Sequence, residues 1–364
     1  MAGGLIPSRP IALYMAKLFF TRSLAVLLGL VLILMTLDLL GESGKILAQP
    51  GSGNEELVRY VSLRLPQLVE RFLPFSILLG TIIALASLNQ HSEVIAMKAA
   101  GISAHQILAP LIAASLLVAG ASFAFNEAVV ADATAELAAW EAEDYGPVPP
   151  DDGVERHVWV REGANLIHAE RVVGEGRDTR LHDVAVYDRG GGRLRSILSA
   201  RIGYPREDGW LLQDVVRFDV ETGAEQRFEG VITAAGVSPD QFTLSEVEPE
   251  ETDFFTLRRA IAELKRGGQP TGPLEAGLWH KISGPLSTLL MPLLAGVAAF
   301  GLARSGQLAL RAIIAMALGF AYFVVDNFAL AMGDFGAYPP LLAAWAPFFL
   351  FLLVGETVLV RSEE

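Results

Sequence analysis

Residues 157–170, His-Val-Trp-Val-Arg-Glu-Gly-Ala-Asn-Leu-Ile-His-Ala-Glu, decide the fold of this chain. From His157 the pattern takes a period of two through Val158-Trp159-Val160. After the turn residues Arg161-Glu162-Gly163 it resumes through Ala164 to Ala169, which reads as two strands. The period returns at Val184-Ala185-Val186-Tyr187. Turn chemistry recurs at Asp188-Arg189-Gly190-Gly191-Gly192, Glu207-Asp208-Gly209 and Glu221-Thr222-Gly223. Short strands at this spacing predict a β-sandwich, a jellyroll or a related all-β fold. No helix follows the three glycines at 190–192, so they read as a hairpin turn rather than a phosphate cradle.

Around these strands the chain is apolar. Of 364 residues 52% are hydrophobic and the mean hydropathy is +0.41, beyond an ordinary soluble domain. An insertion from about Ala131 to Leu278 carries 16 Lys/Arg and 29 Asp/Glu, so the entire net charge of −13 lies there. Six apolar segments flank it: Leu24 to Leu40, Phe72 to Leu88, Ile107 to Phe125, Ile282 to Ala303, Leu308 to Met332 and Leu341 to Val360. Each approaches the ~20 residues with which a helix crosses about 30 Å of hydrocarbon, and only helices satisfy their own backbone there. The first reads as a retained span, since no small-x-small cleavage site follows it. Arg9, Lys17, Arg22, Lys98, Arg304, Arg311 and Arg361 predict cytoplasmic termini by the positive-inside bias. Lys45, Arg59, Arg64 and Arg71 in the first external loop run against it, balanced by Glu42, Glu55, Glu56 and Glu70. Three spans precede the insertion, which places it outside the cytoplasm. The expected organisation is spans one to three over 1–134, a β-domain over 135–255, an amphipathic connector over 256–276 and spans four to six over 277–364.

Catalytic constellations do not emerge. Gly41-Glu42-Ser43-Gly44-Lys45 fails as a nucleotide loop, because Leu39 stands where glycine is required and Ile46 where serine or threonine is. The histidines at 91, 105, 157, 168, 182 and 280 form no HExxH pair, so no metal site is expected. Absence of cysteine removes disulfides and thiolate ligands. Ionisable groups in apolar segments need an account. For Asp38, Glu127 and Glu356 interfacial placement is the simpler reading. Asp326, deeper, reads equally as a structural pair or as part of a transport path. Pro285 and Pro292 predict a kink in span four. Leu257, Ile261 and Leu264 share one face of a helix over Phe254 to Arg266, lying on the membrane surface or packed on the β-domain. Between spans two and three, about 89–101, a short cytoplasmic helix is predicted. It has Asn89 or Ser92 as N-cap, apolar Val94, Ile95 and Met97, and Gly101 as its stop. It reads as a connector or as a projection whose Glu93 meets a basic group on a soluble motor.

Three stretches carry a resemblance. Residues 72–101, FLPFSILLGTIIALASLNQHSEVIAMKAAG, resemble the second span and coupling helix of the LptF/LptG (YjgP/YjgQ) family of lipopolysaccharide export permeases. Leu278-Trp279-His280-Lys281-Ile282 with Pro285-Leu286-Ser287 is similar to that family's entrance to span four, and Val325-Asp326-Asn327 to its span five. Trp279-x-Lys281-Ile282 and Met97-x-Ala99-x-Gly101 look more like the LptG branch than the LptF branch. The resemblance implies a non-catalytic permease subunit with a periplasmic β-jellyroll in the inner membrane of a Gram-negative bacterium. Its implied partners are an LptF-type permease, an LptB-type ATPase dimer holding ATP and magnesium, an LptC-type bitopic protein, lipopolysaccharide and membrane lipid. It implies no cofactor on this chain and no nucleic acid. Coupling to the ATPase falls on Glu93, Ser92, Val94 and Met97. Where LptG members often carry lysines near span one, this chain has Met35, Gly41 and Glu42. Headgroup phosphate contacts are then weaker, or fall on Lys45, Arg64 or Arg71 instead, or meet a lipid A with fewer phosphates, with Asp38 and Asp326 as further candidate substrate contacts. A non-transporting membrane sensor is the alternative outside the family.

Overall fold

In a computed structural model the chain divides into two compact units. One comprises Met1–Val148, Pro249–Phe254 and Gly272–Glu364, the other Pro149–Glu248 and Phe255–Thr271. The structure describes residues 8–147, 154–174, 176–189, 193–206, 209–234, 237–243, 247–266, 269–300 and 308–363. The glycines at 190–192 lie outside these. The helical unit opens with α1 (Arg9–Ala48), α2 (Asn54–Gln90), α3 (Glu93–Ala99) and α4 (Ala104–Phe125), then one π-helical turn (Asn126–Val130) and α5 (Ala131–Ala142). The second unit holds β1 (Val154–Glu162), β2 (Asn165–Val173), β3 (Arg180–Asp188), β4 (Ser196–Arg206), β5 (Gly209–Asp219) and β6 (Glu225–Thr233), followed by α6 (Asp240–Thr243) and α7 (Phe254–Arg266). The helical unit resumes with α8 (Gly272–Leu286), a 3-10 turn (Ser287–Leu289), α9 (Leu290–Phe300), α10 (Leu308–Asp334) and α11 (Pro340–Glu363).

Among the described residues five helical stretches are long and apolar enough to cross a membrane: Arg9–Ala48, Asn54–Gln90, Ala104–Ala142, Ala312–Asp334 and Pro340–Arg361. The fourth expected segment falls on α8 and α9, joined by the 3-10 turn just after Pro285, and its end at 301–303 lies outside the described residues. Proline lacks the amide that an unbroken helix uses, so the break falls where the sequence placed a kink. The other helices outrun their apolar stretches. At 40 residues α1 is about 60 Å long, and Lys45, Arg59, Arg64 and Arg71 lie on helices rather than in an external loop. Packing explains the extension: Val31, Met35 and Ile46 of α1 are buried with Tyr60, Leu63 and Leu68 of α2 and Leu137 and Trp140 of α5. Below them Gly80 lets α2 approach α1, since a Cβ there would stand 2.5 Å from Ser23 Cα. A second core joins Phe19, Ile77, Leu85 and Leu108 to Leu290, Leu294, Tyr322 and Phe351.

The six strands form one antiparallel sheet in sequence order. Val158, Val160, Ile167, Ala169, Val184 and Val186 point into its core, as the period of two requires. The strands continue past these runs through a bend. His157, Asp183 and Asp214, on alternate strands, have φ of +58°, +53° and +55°, and the pairing register sets them on one row. Across that row buried residues fall three apart instead of two, as in Ala169 and Val172, Leu181 and Val184, Leu212 and Val215. The inward phase therefore steps by one residue, as at a bulge. The turn after β5 is closed by Asp219, whose carboxylate accepts the Thr222 amide and hydroxyl. Those bonds hold its pKa below the usual carboxylate range.

Trp210, 1% exposed, packs edge-on to Phe242 of α6 and donates from Nε1 to the Val237 carbonyl at 2.8 Å. Trp210→Phe removes that donor and leaves the buried carbonyl unpaired. A loss of about 1–3 kcal/mol is expected, read as a lower unfolding midpoint of the β unit in the full chain. On α7 the face formed by Leu257, Ala260, Ile261 and Leu264 is buried, and residues Phe255–Thr271 group with the sheet.

Candidate functional site

At one end of the helical unit α2 stops at Gln90, Ser92 takes a left-handed φ of +60°, and α3 runs for seven residues. Gly101, with φ +83°, reverses the chain. Ser103 then opens α4 with a capping box, its Oγ accepting the Gln106 amide while Gln106 Oε1 accepts the Ser103 amide. Ser92 precedes α3 as expected, but its hydroxyl makes no cap bond. Glu93 sits in the first turn, where a carboxylate complements the helix dipole, and accepts from the Tyr14 hydroxyl at 3.3 Å. Val94 is buried in the main helical core and Met97 packs against it. Ile95 is 65% exposed. Thus α3 is seated by two of its apolar side chains and presents the third.

A second cluster lies between α1, α2 and the end of α5. Asp38 accepts from the Tyr60 hydroxyl at 2.6 Å and from Arg64 Nε at 3.1 Å and Nη2 at 3.3 Å. Arg64 Nη1 also donates to Gln67 Oε1 at 2.7 Å. Lys45 Nζ lies 2.8 Å from Glu42, which also accepts from the Tyr145 hydroxyl at 3.0 Å. Burial, then the bond to Glu42, pushes the Tyr145 pKa up and keeps it a donor. With Glu141 and Asp144 these groups line a recess holding four acids and two bases. Of the predicted substrate contacts, Asp38, Lys45 and Arg64 therefore come together, with both cations already paired. Arg71 is exposed, without an acidic partner among the described residues, and Asp326 belongs elsewhere.

Asp326, 8% exposed, accepts from the Tyr322 hydroxyl at 3.5 Å and lies 3.9 Å from His280 Nε2. Those contacts join α8 to α10. One residue on, Lys281 Nζ donates to Asn126 Oδ1 at 3.0 Å, and Asn126 Nδ2 donates to Glu70 at 2.8 and 3.1 Å. Charges on α2 and α8 are thereby joined through an amide at the first residue of the π-helical turn. The carboxylates read as interfacial have protein partners too: Glu127 caps the Phe254 amide at 2.8 Å, and Glu356 lies 3.3 Å from His105 Nε2. Sequence reading passed over Tyr60, Tyr145 and the Glu70–Asn126–Lys281 link. Only the last had a signal, two opposite charges at the edges of apolar segments.

Long apolar helices before and after a separate antiparallel β unit in the sequence, with a short helix seated between two of them, mark a multi-pass membrane protein. The chain belongs to the lipopolysaccharide export system permease LptF/LptG family, whose model matches residues 13–361. It is similar to the lipopolysaccharide export system permease protein LptG of Escherichia coli K12, 25% identical over 361 residues, covering 96% of this chain and 97% of that protein. The protein of that name from Haemophilus influenzae Rd is 24% identical over 327 residues, covering 85% and 87%.

Proposed function

We propose that this chain is the LptG-type subunit of a transporter that extracts lipopolysaccharide from the inner membrane, working beside an LptF-type permease. In this reading ATP and magnesium are held by a separate LptB-type ATPase dimer, and lipopolysaccharide passes to an LptC-type protein. The chain itself is non-catalytic. Helices α8 and α9 form the fourth of six spans, both termini are cytoplasmic, and the bent meander is a periplasmic jellyroll. Lys45, Arg64 and Arg71 form the polar rim that meets the lipid headgroup.

The observation that carries this reading is the seat of α3. Val94 and Met97 bind it to the helical core while Ile95 projects from it, so a push on α3 moves α2 and α4 with it. A photoreactive residue placed at position 95, rather than at the half-buried Glu93, tests it in cells. Capture of an ATPase subunit supports both the cytoplasmic placement of α3 and the motor. No capture from a chain shown to be folded and inserted favours the sensor. An LptF-type subunit recovered as the neighbouring permease supports the LptG assignment, and an LptG-type neighbour reverses it.

A further inference from the structure

The outer face of the sheet carries a group of side chains that the transport reading leaves unused. His157 of β1 and His168 and Glu170 of β2 each bring one ligand atom within 4.8 Å of the others. The pairing register produces this arrangement. Trp159 pairs with His168, while Arg156 with Arg171 and Val158 with Ala169 bracket His157 opposite Glu170. Two residues two apart on β2 therefore face one residue across the strand gap, and all three share a face of the pleat. His157 Nδ1 lies 3.3 Å from Glu170 Oε2. The two imidazoles are 6.2 Å apart and inclined by 26°. Trp159 packs on His168 at 4.5 Å and on Tyr187 at 5.7 Å, which holds one face of the His168 ring.

We propose that His157, His168 and Glu170 bind one Zn2+ ion. Ligand atoms around tetrahedral zinc stand roughly 3.3 Å apart, from metal–ligand bonds of about 2.0–2.1 Å. Small side-chain rotations bring the three atoms to that spacing. Two imidazoles and one carboxylate match a borderline ion and not calcium or magnesium, which take oxygen ligands. A fourth position stays open to water. Because β1 is an edge strand, the ion fastens the end of the sheet to its neighbour.

The test uses the full-length chain in detergent, with any affinity tag removed and prior treatment with EDTA. Calorimetric titration with ZnCl2 is expected to show a single equivalent, and CoCl2 to give the visible bands of a low-coordinate site. His157→Gln and His168→Gln should each lose that equivalent, whereas His182→Gln on β3 keeps it. Glu170→Gln, which conserves shape, serves if either histidine variant fails to fold by circular dichroism. Absence of stoichiometric binding in the unaltered chain overturns the proposal. Binding that survives the loss of His157 and of His168 overturns it equally.

Discussion

If α3 docks an ATPase as proposed, Ile95→Asp is expected to leave a folded, inserted permease that no longer holds it. Ile95 is 65% exposed and takes no part in the core that seats α3, so a charge there costs the fold little. At an interface the same change places an unpaired carboxylate where an apolar anchor should be desolvated. Anchors of this kind contribute about 2 kcal/mol or more, roughly a 30-fold loss of affinity. Co-purification of the ATPase should fall accordingly, and stimulated ATP hydrolysis with it. Val94→Asp is the contrasting change: Val94 is 4% exposed inside the helical core, so that variant should lose the fold itself. Unchanged ATPase affinity in a folded Ile95→Asp chain removes α3 from the interface.

What could be read from the sequence follows how far apart the determining residues lie. A short helix before Gly101 could be read because that stop is local, although Asn89 and Gln90 finish α2 and the short helix covers Glu93–Ala99 alone. Which of Val94, Ile95 and Met97 points outward could not, because a seven-residue helix is too short for periodicity to separate its faces. The strands at Val158–Val160 and Val184–Val186 were legible for the opposite reason, since each run lies on one side of the bend and keeps its period. The bend was not, because His157, Asp183 and Asp214 are residue types expected on a solvent face and only their shared row reveals them. Strand pairing likewise explains why the six scattered histidines pointed to no metal site: His157 and His168 become neighbours only once β1 is paired with β2. Lys45, Arg64 and Arg71 were visible as cations near span one, and the first two line one recess. Which acid each would meet was not legible, because α1 continues past its apolar stretch and α2 begins before its own.

The Glu70–Asn126–Lys281 link was the least legible, with partners 56 and 155 residues apart in sequence, and it gives a prediction of comparable size. Asn126→Asp is expected to destabilise the helical unit by about 1–3 kcal/mol, the cost of leaving a desolvated hydrogen-bonding group without its partner. A carboxylate can only accept and an ammonium can only donate, so the group between Glu70 and Lys281 must do both, as an amide does. Asn126, 9% exposed, does so with bonds of 2.8, 3.1 and 3.0 Å. Asp keeps the size and the acceptor for Lys281 but offers Glu70 no donor and sets a like charge against it. The gain in attraction to Lys281 offsets part of that loss, which is why the second substitution decides the matter. Adding Glu70→Gln restores the order of donors and acceptors, because its new amide donates to the new carboxylate while Lys281 still donates from the other side. Most of the lost stability should return, a coupling that a double-mutant cycle measures directly. Thermal unfolding of the purified chain in detergent reads all four states. Equal losses in the single and double variants instead mean that Glu70 contributes nothing to the link, leaving the amide's bond to Lys281 to join α8 to the π-helical turn unaided.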